Sequence, residues 1–195
     1  RVPDGGDVIL SFDPPTPGTK NLGYSLTRQI ETESVTLISM TNQWKFDQSG
    51  TNLLKAWREN DYDDSEWETG RALFYNEYEP LPAPKNTPLT LGPVTYYFRT
   101  AFDVTEEQAN DWNDPDSYWQ FHLYAILDDG IVVYHDNEEF CRVNMRDGDV
   151  YYTTFAISNE GRLQGPYTVE LANLHAGTNY IAAELHHMHP PAGFL

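Results

Sequence analysis

Residues 119–145, WQFHLYAILDDGIVVYHDNEEFCRVNM, constrain the fold more than any other part of the sequence. Aromatic and β-branched residues, which favour strands, dominate three short runs in this stretch. Asp128, Asp129 and Gly130 separate the first run from the second, and residues 135–138 separate the second from the third. Asp and Gly favour tight turns, because glycine takes positive φ freely and aspartate can bond its own backbone. The stretch therefore predicts three strands joined by two tight turns.

Similar runs recur along the chain with turn residues between them. They cover residues 8–12, 34–46, 72–75, 94–104, 150–157, 167–171 and 180–188. Thr105 and Gln108 have the spacing of a capping box, which predicts a short helix after residue 104. Five prolines between residues 80 and 93 predict a surface loop, since proline cannot donate to a central strand. The pattern predicts an all-β fold, an antiparallel β-sandwich or jelly roll.

The length and composition fit one folded domain with extensions. The chain has 195 residues, of which 39% are apolar and 14% aromatic, a mixture typical of a sandwich with aromatic side chains between its sheets. Residues 1–33 are rich in proline and glycine and predict an arm or linker with one strand. We expect the sandwich at residues 34–189 and the start of a second linker at 190–195. Both ends are expected to continue into a longer polypeptide.

The charge excludes two classes of partner. The formal net charge is −18, whereas binding to nucleic acid or to an anionic membrane surface requires a basic face. No apolar run reaches the roughly 20 residues that a membrane span needs. Cys141 is the single cysteine and lies in a β-prone run, so it is interpreted as a buried, unreactive thiol.

Three aspartates are candidates for a metal site. Asp61, Asp63 and Asp64 place several oxygen donors beside Ser65, and Ca²⁺ prefers such ligands. The EF-hand template does not fit, because Glu66 stands where its glycine is required. The alternative is a structural turn whose carboxylates accept backbone N–H groups. Three histidines near the C-terminus also have metal-ligand character, but the spacing of a catalytic zinc site is absent; they are His186, His187 and His189.

Five aromatic residues are candidates for sugar stacking, because they lie in predicted loops beside acids and amides. They are Trp112, Tyr118, Trp119, Tyr75 and Tyr78. Trp112 is flanked by four amide or carboxylate side chains, so we expect Trp112→Ala to abolish glycan retention and leave the fold intact. The alternative is that Trp112 folds back onto the sandwich.

The order of motifs resembles one family. The motifs are Trp44-Lys45-Phe46, Trp57, Asp63-Asp64-Ser65-x-Trp67-x-x-Gly70, Tyr96-Tyr97-Phe98-Arg99-x-x-Phe102, Asp128-Asp129-Gly130-x-x-Val133-Tyr134, Arg142-x-Asn144-Met145 and Leu174-x-x-Gly177-x-Asn179-x-Ile181-Ala182. Over residues 40–188 this series resembles the galactose-binding-like jelly-roll modules of secreted bacterial hydrolases, esterases and phosphoesterases. The Asn-Gly turn common in these modules is absent after Tyr134, so either the turn differs or Asn137 itself supplies a positive φ.

The resemblance implies a non-catalytic accessory domain, often sugar-binding and often stabilised by calcium. We therefore expect an extracellular or cell-surface module that binds carbohydrate through loop aromatics and acids, attached to flanking domains of the same polypeptide. One alternative is a structural module that docks a neighbouring catalytic domain. The other is a hydrolase, although the sequence lacks a nucleophile elbow, a P-loop and a dinucleotide fingerprint.

Overall fold

The computed structural model describes residues 34–76, 80–157 and 161–188, together with the backbone of two earlier strands. The chain divides into two compact units, residues 1–36 and residues 37–195. In the first unit β1 (Val8–Ser11) pairs antiparallel with β2 (Ser25–Arg28). Tyr78 and His189 lie outside the described residues.

The regular secondary structure of the second unit is almost all strand. In chain order these are β3 (Gln43–Asp47), β4 (Glu68–Arg71), β5 (Phe74–Tyr75), β6 (Thr87–Pro88), β7 (Thr95–Val104), β8 (Phe121–Leu127), β9 (Gly130–His135), β10 (Glu138–Val143), β11 (Arg162–Val169) and β12 (Gly177–His186). A 3-10 turn spans Ala56–Arg58 and one helix, α1, spans Glu106–Trp112. No helix in the described part of the chain is long and apolar enough to cross a membrane.

Six of these strands form one antiparallel sheet, in the order β10-β9-β12-β7-β3-β4. The ten-residue strands β7 and β12 lie at its centre and pair along their whole length, from Val104 opposite Gly177 to Thr95 opposite His186. β8 and β11 form a separate antiparallel pair, and the short strands β5 and β6 form a parallel one.

Both faces of the six-stranded sheet are buried. On one face a core forms around Phe46, Tyr96, Phe98 and Ile181, and Phe121 and Leu123 of β8 pack against it. On the other face Trp57, Tyr97, Val132 and Tyr134 form a second core, which also includes Met145 and Ala156 from the loops. Since successive strand residues point to opposite faces, the alternating aromatic residues of β7 supply both cores. The predicted all-β class with antiparallel layers is confirmed.

Three details of the predicted strands are wrong. β8 pairs with β11 rather than with β9, so the segment at Asp128 and Asp129 crosses between layers instead of closing a hairpin. Residues 150–157 form a loop, because their polar groups bond other parts of the chain: Ala156 N–H donates to the His187 carbonyl and Ile157 N–H to that of Asn144. Residues 34–42 precede β3 as a turn rather than as part of the strand.

In the turn between β9 and β10, the second of the two alternatives holds: Asn137 supplies a positive φ. Asp136 and Asn137 have φ of 47° and 69°, the left-handed conformation that a two-residue hairpin turn requires at both positions. The turn lies at the end of the sheet where β7 finishes and β12 begins, because His135 is opposite Ile181 and Val104 is opposite Gly177. We call this end of the sheet the α1 end, since α1 follows β7 directly.

Candidate functional site

The α1 end is shaped by a helix fixed at both of its termini. The predicted capping box is present: Gln108 N–H donates to Thr105 Oγ1 at 3.1 Å, and Thr105 N–H donates to Gln108 Oε1 at 3.0 Å. At the other terminus the Asn113 amide donates to the carbonyls of Ala109 (2.7 Å) and Leu174 (2.6 Å). The helix is therefore tied to the segment that enters β12.

Trp112 occupies a different place from the one predicted. Its side chain is only 8% exposed and belongs to the core, with its ring edge-on to Trp119 and Phe121 at centroid distances of 5.8 and 6.0 Å. A ring buried in this way has no free face for a sugar, so the prediction that Trp112 stands on a loop is wrong. Ala109 and Trp112 are three residues apart and are the buried residues of α1, a spacing that indicates the core side of a helix.

Tyr118 is presented on a folded turn beside the helix. The turn is closed by Ser117 N–H donating to the Asp114 carbonyl and by Asp116 N–H donating to the Asp114 carboxylate, both at 2.9 Å. The next residue, Trp119, is half-buried and its indole N–H donates to the Asp111 carboxylate. Tyr118 itself is 78% exposed, between residues whose positions these hydrogen bonds fix.

An open groove runs along α1 next to this turn. It has a volume of about 830 Å³ and is lined by Thr105, Glu106, Glu107, Asn110, Asp111 and Asp114. Asp111 and Asp114 of this lining also bond Trp119 and the turn, which lie on either side of Tyr118 in the chain. The structure thus combines an aromatic surface with carboxylates and an amide that accept or donate hydrogen bonds to hydroxyl groups.

The other two predicted aromatics are not part of this turn. Tyr75 is half-buried on β5, and the Lys85 ammonium lies 5.4 Å from the centre of its ring. Tyr78 lies outside the described residues.

Two of the three predicted metal ligands, Asp63 and Asp64, bond other groups of the chain. Asp64 accepts from Lys45 Nζ with one carboxylate oxygen and from Arg99 Nε with the other, each at 2.8 Å. Partial burial opposes its charge, but the hydrogen bonds from Lys45 and Arg99 outweigh this and hold the pKa of Asp64 below its ordinary value. Asp63 accepts the N–H of Ser65 at 3.0 Å.

These contacts match the structural-turn alternative for the DDS motif. Within the described ranges no group of three or more His, Cys, Asp or Glu side chains is arranged to hold a metal ion. Asp61 is exposed at the edge of the same turn, and calcium binding there stays a prediction.

A buried polar cluster centred on Glu184 was missed by sequence reasoning. Glu184 Oε1 accepts from Arg58 Nη2 at 2.9 Å and from the Tyr134 hydroxyl at 2.5 Å. His186 Nε2 lies 3.4 Å from Glu184 Oε2, and its Nδ1 donates to the Thr154 carbonyl at 2.8 Å. Burial opposes the charge of Glu184, but its hydrogen bonds and the nearby positive groups keep its pKa below the ordinary value.

The Glu184 cluster fastens loops rather than lining an opening. The residues come from β9, β12, the 3-10 turn and the loop at residues 150–157, and Glu184 is 2% exposed. The Arg58 guanidinium lies 3.9 Å from the centre of the Tyr134 ring, which adds a cation–π contact. The alternation of Glu184 and His186 on one strand face was the available sequence signal, but Arg58 is 126 residues distant from Glu184 in the chain.

Comparison with known proteins gives structural neighbours only. No protein-family model and no curated protein matches the sequence. Among solved structures, the chain is similar to a Ruminococcus gnavus β-glucuronidase (10% identity, TM-score 0.49), a glycoside hydrolase family 2 β-glucuronidase (16%, 0.48) and a calcium-binding mutant of Bacteroides uniformis β-glucuronidase 2 (12%, 0.46). The matches cover 81%, 81% and 82% of this chain but 22%, 15% and 16% of the respective enzymes.

Proposed function

We propose that the chain is a non-catalytic carbohydrate-binding module of a larger extracellular or cell-surface polypeptide, with its binding surface at the α1 end. The observation that carries the proposal is the placement of Tyr118, a large aromatic side chain that is 78% exposed and directly follows a turn closed by Asp114, a residue of the groove lining.

The groups around Tyr118 suit a sugar chain. A pyranose ring can place its C–H face on the tyrosine ring, while its hydroxyl groups reach the carboxylates and amide of the groove. Thr105 caps the start of α1, and Asn110 and Asp111 lie in its last turn, so groups at both ends of the helix are available to more than one sugar unit. An oligosaccharide bound in this way depends on several weak contacts, and affinity rises with chain length.

Affinity gel electrophoresis in neutral polysaccharides tests the proposal. We expect Tyr118→Ala to lose the retardation that wild type shows. Tyr151→Ala is the matched control, because Tyr151 is 64% exposed but lies in the loop that follows β10, away from α1. Equal migration of wild type and Tyr118→Ala in every polysaccharide that retards the wild type would refute the site.

A second function is favoured by one specific observation. Tyr151, Phe155 and Ile157 are exposed apolar residues within one loop, and Ala156 in that loop bonds His187 at the end of β12. Such a patch next to the exit of a strand suits the docking of a flanking domain. Co-purification of separately expressed flanking segments, lost in an Ile157→Ser variant, tests this function without involving Tyr118.

A further inference from the structure

A second cavity adjoins the α1 groove. It lies between residues 112–115, at the end of α1, and residues 171–173, and has a volume of about 410 Å³. Sites for small molecules in proteins have volumes of about 300–1,000 Å³. Asp114 lines both this cleft and the larger groove, so the two spaces meet at its side chain.

The two walls of the cleft are held at a fixed separation. Asn113 lies in one wall and forms a pair of hydrogen bonds with the backbone of Leu174, which directly follows the other wall. Its amide donates to the Leu174 carbonyl at 2.6 Å, and its Oδ1 accepts from the Leu174 N–H at 3.2 Å. The second amide hydrogen is used by Ala109 at 2.7 Å. Because the Asn113 side chain is saturated in this way, the cleft is formed before any ligand arrives.

The lining of the cleft is mixed in the manner of a sugar site. Pro115, Leu171 and Ala172 supply apolar surface, and Asp114 and Asn173 supply polar groups. Asn173 has φ of 62°, a left-handed conformation that asparagine accepts more readily than most residues. The backbone at this wall is therefore held in an uncommon conformation beside the cavity.

Neither of the two segments that line the cleft supplies a Lys or Arg side chain. The sequence contains neither Lys nor Arg from residue 100 to 141 or from residue 163 to 195, so both walls come from segments without a fixed cation. Asp114 would repel a carboxylate or sulfate group placed in the cleft. A neutral ligand meets no such cost.

We propose that this cleft is the subsite for one neutral terminal sugar unit, and that Asn113 acts indirectly, by holding the two walls at the separation that receives the sugar. The inference deepens the proposed function and rests on it: the following units of the glycan lie along the α1 groove toward Tyr118. The ligand class is a neutral hexopyranose at the end of a chain, bound by its ring face and hydroxyl groups.

Titration of ¹⁵N-labelled protein with methyl β-D-glucopyranoside, methyl β-D-galactopyranoside and glucuronic acid tests the subsite. We expect at least one neutral glycoside to shift the side-chain amide signals of Asn113 and Asn173, and glucuronic acid to leave them unchanged. Ala172→Trp fills the cleft and should weaken binding of that glycoside about tenfold or more. Ala176→Trp is the matched control, since Ala176 is an exposed alanine of the same segment outside the lining.

A second variant keeps the subsite testable if Ala172→Trp does not fold. Asn173→Gly removes the amide and keeps the backbone conformation, because glycine takes positive φ freely. If a polysaccharide binds in a Tyr118-dependent manner while Ala172→Trp and Asn173→Gly bind every probe as wild type does, the subsite is overturned and the proposed function stands. If neither polysaccharide nor glycoside binds the wild type, both are overturned. Amide shifts caused by glucuronic acid alone would also overturn the inference, since they contradict the neutral ligand class.

Discussion

Glu184→Gln is the substitution with the clearest expected effect on stability. The change keeps the size of the side chain but removes the negative charge that Arg58 Nη2 contacts at 2.9 Å. It also replaces one acceptor of the Tyr134 hydroxyl and the group facing His186. Both Arg58 and His186 are buried, so neither can recover its interactions from water.

The expected cost follows from leaving Arg58 without its counter-charge. Removing one partner of a buried ion pair typically destabilises a protein by about 3–5 kcal/mol. A domain of this kind is stable by about 5–15 kcal/mol, so the variant should lose a large part of its free energy of unfolding. Glu139→Gln is the matched control, because Glu139 pairs with Arg142 at the surface, where such pairs contribute about 0–1 kcal/mol.

Urea unfolding followed by tryptophan fluorescence measures both variants. We expect a clear fall in the midpoint for Glu184→Gln and almost none for Glu139→Gln. The pKa of Glu184 is lowered in the fold, so its contribution is present above the ordinary value of 4.5 and is lost as the pH falls through the folded value. Wild type should therefore lose stability below about pH 4.5 more steeply than Glu184→Gln. Equal midpoints for the two variants at pH 7 would refute this role of the cluster.

Three further variants test other contacts. Trp112→Ala should lower the free energy of unfolding by about 3–5 kcal/mol, as for other buried large side chains, and a stability like that of wild type in urea would contradict its core position. Asp64→Asn should cost about 1.5–3 kcal/mol, the range for hydrogen bonds to charged groups, with no recovery on adding Ca²⁺; a Ca²⁺-dependent rise in wild-type Tm that the variant lacks would instead indicate a cation site. Asn179→Ala should cost about 1–3 kcal/mol in thermal unfolding, because its amide bonds the carbonyls of His175 and Gly177; an unchanged Tm would show that water replaces it.

Local signals in the sequence predicted the strands that have clear turns at their ends. The capping box at Thr105, the positive φ of Asn137 and the long run of β7 are each determined within a few residues, and the structure confirms them. The pairing of β8 with β11 depends on which layer each strand joins. That choice depends on core packing between segments at least 35 residues apart in the chain. The Asp-Asp-Gly sequence does not reveal it, because the same residues can form a hairpin turn or a connection between layers.

The site was only partly predictable for the same reason. Tyr118 was identified by its position in an acidic loop, and its exposure agrees with that expectation. Trp112 lies six residues before Tyr118, in a segment of similar acidic and amide-rich composition. It forms part of α1, however, and is buried on the same side of that helix as Ala109. The Arg58–Glu184 pair joins distant segments, so a single sequence holds no local sign of it.

Hydroxyl-radical footprinting of the wild-type protein tests the central claim most directly. Tyr118 and Tyr151 are both largely exposed, so both should be oxidised readily in the free protein. With a saturating soluble glycan, we expect protection of Tyr118 and unchanged labelling of Tyr151, measured by mass spectrometry of the peptides. Protection of Tyr151 with full labelling of Tyr118 would contradict a carbohydrate site at the α1 end.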